Sequence, residues 1–128
     1  MATRRRTSAG RKARALPSST ELARGHLDTI AAAVGSDRAV AAILGVSPSQ
    51  LSRWRRGQVP DADNADRLAG LALVIEMLLR WLEPETISGW LEGANAHLGD
   101  RPPSHLLRRG QVADVIGAIE AEKRGVYA

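Results

Sequence analysis

Residues 46 to 58 read VSPSQLSRWRRGQ. Ser47, Ser49, Gln50, Ser52, Arg53, Arg55 and Arg56 supply hydroxyl, amide and guanidinium groups, and no carboxylate stands among them. On a helical wheel with Leu51 and Trp54 turned inward, Ser49, Ser52, Arg53 and Arg56 face outward, with Gln50 and Arg55 on the flanks. Such a face suits the major groove of DNA, where Arg bridges the guanine acceptors and Gln pairs with adenine. Arg55, Arg56 and Arg38, from the preceding segment, are placed to hold backbone phosphates rather than to read bases. About five such contacts per subunit would give a salt slope near −0.9 for each. The same residues would also stand on the solvated face of a helical hairpin that does no more than pack.

This set needs a scaffold, and the neighbouring residues provide one. SDRAVAAILG, 36 to 45, reads as a helix capped by Ser36 with Val40, Ile43 and Leu44 inward and Gly45 as its left-handed stop. Ser47 is a strong N-cap, Pro48 fits the first helical position, and Gln50 three residues after Ser47 forms a capping-box pattern. Ala41 is small where two helices must approach, and Leu51 and Trp54 follow Gly45 by six and nine positions. Two short helices joined through a glycine turn are the signature of a helix-turn-helix.

The rest of the chain reads as helix. A helix start falls at Ser19 or Thr20, with Leu22, His26, Ile30 and Ala33 as its apolar face and Gly35 as its stop. His26 there is a packed core residue. Residues 60 to 83 form a central helix striped by Leu68, Leu71, Ala72, Ile75, Leu78, Leu79 and Leu82, a stripe wide enough for a core and a second, dimer-forming surface. After Pro84 come short helices carrying Ile87, Trp90 and Leu91, then Leu106 and Leu107. A last helix turns Val112, Val115, Ile116 and Ile119 inward. Gly125 breaks it and leaves Val126 and Tyr127 at the end. Tyr127 either folds back on its own core or inserts into a partner's pocket, a use that suits an aromatic anchor on a glycine hinge. No strand pattern occurs. The expected class is all-α, divided into a basic leader (1 to 18), a helix-turn-helix unit (19 to 83) and a small helical C-terminal unit (84 to 128).

Composition narrows the function. The 128 residues include no Cys and no Phe, with a formal net charge of +4. Without Cys there is no disulfide framework and no thiolate metal site, which fits a cytoplasmic setting. The longest apolar run, 68 to 82, is interrupted by Glu76 and Arg80, so a membrane span is not expected. Residues 1 to 20 hold six bases and no acid, whereas the remainder is slightly acidic. Such a leader is either a solvated tail or an added grip on phosphate. The three His residues (26, 97, 105) are scattered, and there is no Gly-rich phosphate loop. An enzyme, a metal site and a bound cofactor are all unsupported.

The C-terminal third adds a pattern of its own: Trp90-Leu91, Asn95, LGDRPPSHLL at 98 to 107, Gly110 and a closing GVYA. With the helix-turn-helix before it, this order resembles the Xre/MbcA/ParS family of antitoxins over about residues 25 to 128. The resemblance implies a helix-turn-helix joined to a toxin-binding domain. It further implies neutralisation of a RES-domain toxin that degrades NAD, and autorepression of the operon. In that family the C-terminal end blocks the toxin's active-site entrance. Carried over, this role falls on Gly125, Val126, Tyr127 and Ala128, flanked by Lys123 and Arg124. His105 stands where the family commonly has an acid, and the leader lies outside the match. The implied partners are the cognate toxin, operator DNA and a second copy of the chain, a homodimer within a hetero-oligomeric complex. The other reading is a stand-alone helix-turn-helix repressor whose C-terminal half only dimerises.

Overall fold

The computed structural model describes residues 15 to 127. They form seven α-helices and one 3-10 turn, and no strand occurs among them. In chain order the helices are α1 (Ser19–Val34), α2 (Asp37–Leu44), α3 (Pro48–Arg55), α4 (Ala62–Leu78), α5 (Pro84–Glu92), α6 (Pro103–Arg108) and α7 (Val112–Tyr127), with the 3-10 turn at Ala96–Leu98. The all-α class is as the sequence implied.

Helix α1 begins at Ser19, the earlier of the two starts its composition indicated. Ser18 is the N-cap, because it is the hydroxyl residue with a Glu three positions on. Its hydroxyl accepts from the Glu21 N–H, and the Glu21 carboxylate accepts from the Ser18 N–H. These bonds hold the Glu21 carboxyl below its ordinary value, the backbone N–H contributing most. A depressed carboxyl stabilises the fold above its unfolded pKa and loses that contribution as pH falls through the folded value. Glu21→Ala should therefore lower Tm at neutral pH, with the difference from wild type closing below about pH 4 in thermal melts.

The buried face of α1 is Ala23, Leu27 and Ile30, not the Leu22, His26, Ile30, Ala33 face expected from spacing. Leu27 carries more apolar area than His26, so the helix rolls to bury it. Leu22 is left 47% exposed and His26 half-buried, together lining an apolar groove with Val59 and Ala65.

Helix α4 is the centre of the fold. Asp61 caps it, and Leu68, Leu71, Ala72, Val74, Ile75 and Leu78 are buried. It packs on α1 and α7, while α5 also packs on α1 and α6 packs on α2 and α7. The helix ends at Leu78, short of the expected Pro84. Leu79 lies on the outside and Leu82 is partly buried in the following turn. Pro84 is the first residue of α5, and a single cluster of buried residues runs across it, from Ala23 to Ile119.

Candidate functional site

The helix-turn-helix is built from its ends inward. Ser36 caps α2 by accepting from the Ala39 N–H at 3.1 Å. Gly45 closes α2 at φ 74°, ψ 30°, with the Gly45 and Val46 amides donating back to Ala42 and Ala41. Ser47 then turns extended and its hydroxyl accepts from the Gln50 N–H at 3.1 Å, with Pro48 at the first helical position. Leu51 and Trp54 are each 1% exposed, packed in the core that Val40, Ala41, Ile43 and Leu44 share. Gly57, at φ 112°, ends α3, with amides 57 and 58 returning to Trp54 and Arg53.

That framework presents Ser49, Ser52, Arg53 and Arg56 to solvent, as the helical wheel implied, and Ser47 and Arg38 are exposed as well. Gln50 is half-buried, and it does not complete a capping box. Its carbonyl oxygen accepts from Arg53 Nη2 at 2.9 Å instead. Nothing acidic stands in the first turn of α3, so the positive end of the helix faces outward uncompensated.

Arg55 differs from its expected role. Its Nε and Nη2 donate to both oxygens of Asp37, at 3.0 and 2.8 Å, and Nη1 donates to Asp28. The Asp37 hydrogen bonds, followed by those of Asp28, raise the guanidinium pKa above its ordinary value despite partial burial. This guanidinium is committed to two carboxylates and is not free to hold phosphate. Its work is to tie the end of α3 to α1 and to the first turn of α2. A bidentate pair in this setting exceeds an ordinary surface pair. A double-mutant cycle of Arg55→Ala and Asp37→Ala, read by urea unfolding, should give a coupling of about 1 kcal/mol.

Helix α1 holds α3 at two more points. Thr20 Oγ1 donates to the Gly57 carbonyl at 3.4 Å, and Arg24 Nε donates to the Arg55 carbonyl at 3.2 Å. From the far side Arg108 reaches back to α2, where its Nε and Nη2 donate to the carbonyls of Ile43 and Ala42, both at 2.8 Å. Those carbonyls belong to the last turn of α2, which has no basic residue of its own. Thr20, Arg24, Asp28 and Asp37 bear on α3 and Arg108 on the end of α2, and sequence patterning flagged none of them.

Further along the chain, α7 buries Val115, Ala118 and Ile119, while Val112 and Ile116 are only partly covered. Glu122 fixes its last turns. The Glu122 carboxylate accepts from the Trp90 indole at 3.1 and 3.2 Å and from Asn95 Nδ2 at 3.4 Å. The Asn95 carbonyl oxygen accepts from the His97 N–H at 2.9 Å. Trp90 and Asn95, two motif residues of the C-terminal third, thus orient α7. Lys123 is half-buried and Arg124 and Gly125 are exposed. Gly125 is not a hinge, because helix α7 continues through it to Tyr127. One interior glycine costs only about 1 kcal/mol relative to Ala, too little to stop a helix already packed along its length. The side chains of Val126 and Tyr127 and the whole of Ala128 lie outside the described residues, as does most of the basic leader.

His26, His97 and His105 are not brought together, and no cluster of three His, Cys, Asp or Glu residues able to hold a metal occurs among the described residues. No helix there is long and apolar enough to cross a membrane.

Comparison with known proteins agrees with this geometry. A helix-turn-helix family profile matches residues 35–71, which contain α2, the glycine turn and α3. The chain is 35% identical over 86 residues to the mycobacterial cidal antitoxin MbcA of Mycobacterium tuberculosis and of Mycobacterium bovis, covering 66% of this chain and 76% of each relative. Its fold matches a chain in the crystal structure of the M. tuberculosis MbcT-MbcA toxin-antitoxin complex, with a TM-score of 0.66 and 28% identity. That match covers 88% of this chain and 100% of the other. With its helix-turn-helix, its C-terminal motif and its extent of likeness in both sequence and fold, the chain belongs to the MbcA family of antitoxins.

Proposed function

We propose that the chain neutralises a RES-domain, NAD-degrading toxin by placing its C-terminal end in the toxin's active site, and that it represses its own operon through α3. The observation that carries the first half is the likeness, over nearly the whole chain, to a chain of a solved toxin–antitoxin complex. The fixed course of α7 supports the use of the end as a plug, since Glu122 sets the helix direction before any partner arrives. Lys123, Arg124, Gly125, Val126, Tyr127 and Ala128 are the toxin-facing residues in this reading. The chain is an inhibitor and not an enzyme. It takes no cofactor, because NAD is the toxin's substrate. Its setting is the cytoplasm, where toxin and operator both reside.

The second half rests on the acid-free outward face of α3. Ser47, Ser49, Gln50, Ser52 and Arg53 address the groove, while Arg38 and Arg56 address phosphates. A homodimer within the hetero-oligomeric complex would present two such helices to symmetric half-sites. Arg53→Ala should weaken operator binding by about 1–3 kcal/mol in gel-shift titrations while leaving rescue of toxin-expressing cells unchanged. Equal loss of both activities in a folded Arg53→Ala protein would overturn the assignment of separate surfaces.

A further inference from the structure

Beside the turn of the helix-turn-helix lies a cavity of about 290 Å³ lined by Arg101, His105, Leu106, Arg108 and Arg109. Leu106 is buried at its floor, and every other lining residue is basic. No carboxylate lines it, and the ion pairs found among the described residues both belong to Arg55. Three guanidiniums thus face one space without a counter-charge. Protein surfaces usually intersperse the two signs, and a concave patch of one sign focuses its field on ions of the other.

Two of these arginines are held in place. Arg108 is fixed by the carbonyls of Ala42 and Ile43, and Arg101 Nε donates to the Leu98 carbonyl at 2.8 Å. A carbonyl orients a guanidinium without cancelling its charge. Both Nη groups of Arg101 and Nη1 of Arg108 have no acceptor among the described residues, and neither does the Arg109 side chain. An anchored fork loses less freedom on binding an oxyanion than a free surface arginine does.

Position indicates which anion. The stem of Arg108 lies on Gly45, where a Cβ would come within 3.0 Å of Arg108 Cδ. Gly45 stands two residues before the Ser47 cap of α3. The cavity therefore borders the end of α3 that leads into a groove. The major groove is only about 12 Å wide, so a helix lying in it has a phosphate strand close on either side. We propose that Arg101, His105 and Arg109 form a second grip on the nucleic-acid backbone, contributed by the C-terminal half of the chain and acting through phosphate oxygens. The inference rests on the reading of α3 as the DNA-facing helix.

The test is the salt dependence of binding to a random-sequence DNA duplex, measured by fluorescence anisotropy with the full chain from about 50 to 200 mM salt. Arg109→Ala should reduce the slope of log Kobs against log salt by about 0.9, and the pair Arg109→Ala with Arg101→Gln by about 1.8. Arg109→Lys should restore most of the slope, and thermal melting of each variant checks the fold. Arg53→Ala serves as the separate control for α3. No DNA binding by the wild-type chain overturns both the reading of α3 and this inference. Binding that depends on Arg53 but keeps its slope in Arg109→Ala overturns the inference alone. So do two other results with an unchanged slope: loss of toxin binding in Arg109→Ala, which gives the cavity to an acidic protein face, or saturable binding of inorganic phosphate, which gives it to a small anion.

Discussion

A chain ending at Arg124 should fold, bind DNA as the full chain does, and fail to protect cells from the toxin. The buried contacts of α7 come from Val115, Ala118 and Ile119, and its polar tether from Glu122, all of which the shortened chain retains. Gly125 is exposed and contributes nothing to the core. What the shortened chain loses is the last three residues of α7, ending in the only Tyr of the sequence, together with Ala128. An aromatic anchor in a partner's pocket is worth about 2–4 kcal/mol, about 30- to 1000-fold in Kd. Titration calorimetry against purified toxin reads this directly, and the point change Tyr127→Ala should reproduce most of it. Protection that survives the truncation would move the inhibitory contact elsewhere on the molecule.

The largest effect on stability is expected at Trp54, near the middle of the packed motif. Replacing this 1%-exposed side chain with Ala removes the largest buried side chain of the protein and leaves a cavity between α3 and its supports. Trp→Ala in a core costs about 3–5 kcal/mol, against a total stability of about 5–15 kcal/mol for a typical domain. Tm should fall by about 10–20 °C for a chain of this size. The indole N–H has no hydrogen-bond partner among the described residues, so its contribution is packing rather than polar contact. Trp54→Phe should therefore recover much of the loss in calorimetric melts, whereas a hydrogen-bonded indole would not be rescued. Because the cluster is continuous through both halves, Trp54→Ala should also weaken toxin binding. Arg53, one residue earlier but facing solvent, should leave it intact.

Much of this architecture could be read from local rules. Ser36, Gly45, Ser47, Pro48 and Gly57 each impose a conformation through their own chemistry, and the structure places each where that chemistry requires. Leu51 and Trp54 are large apolar residues in a polar run, so their inward direction is fixed by contrast. The face of α1 was harder, because Leu22 and Leu27 both offer apolar area, and only packing on α4 selects between them. The polar tethers were not legible at all. Arg55 meets Asp37 and Asp28 across 18 and 27 positions, and Glu122 meets Trp90 across 32. A charged residue that makes a long-range bond has the same local signature as one that is merely solvated. Arg55 therefore read as a phosphate contact. Gly125 read as a hinge for a related reason. Glycine propensity is a local quantity, and the helix around it is held by contacts made earlier along its length.

The hydrogen bonds from Arg108 to Ile43 and Ala42 span 65 and 66 positions. During synthesis the amino-terminal helices leave the ribosome long before this arginine does, so for most of that time the end of α2 lacks the residue that completes it. The helix-turn-helix therefore reaches its final form only late in synthesis, once most of the C-terminal helices are also made.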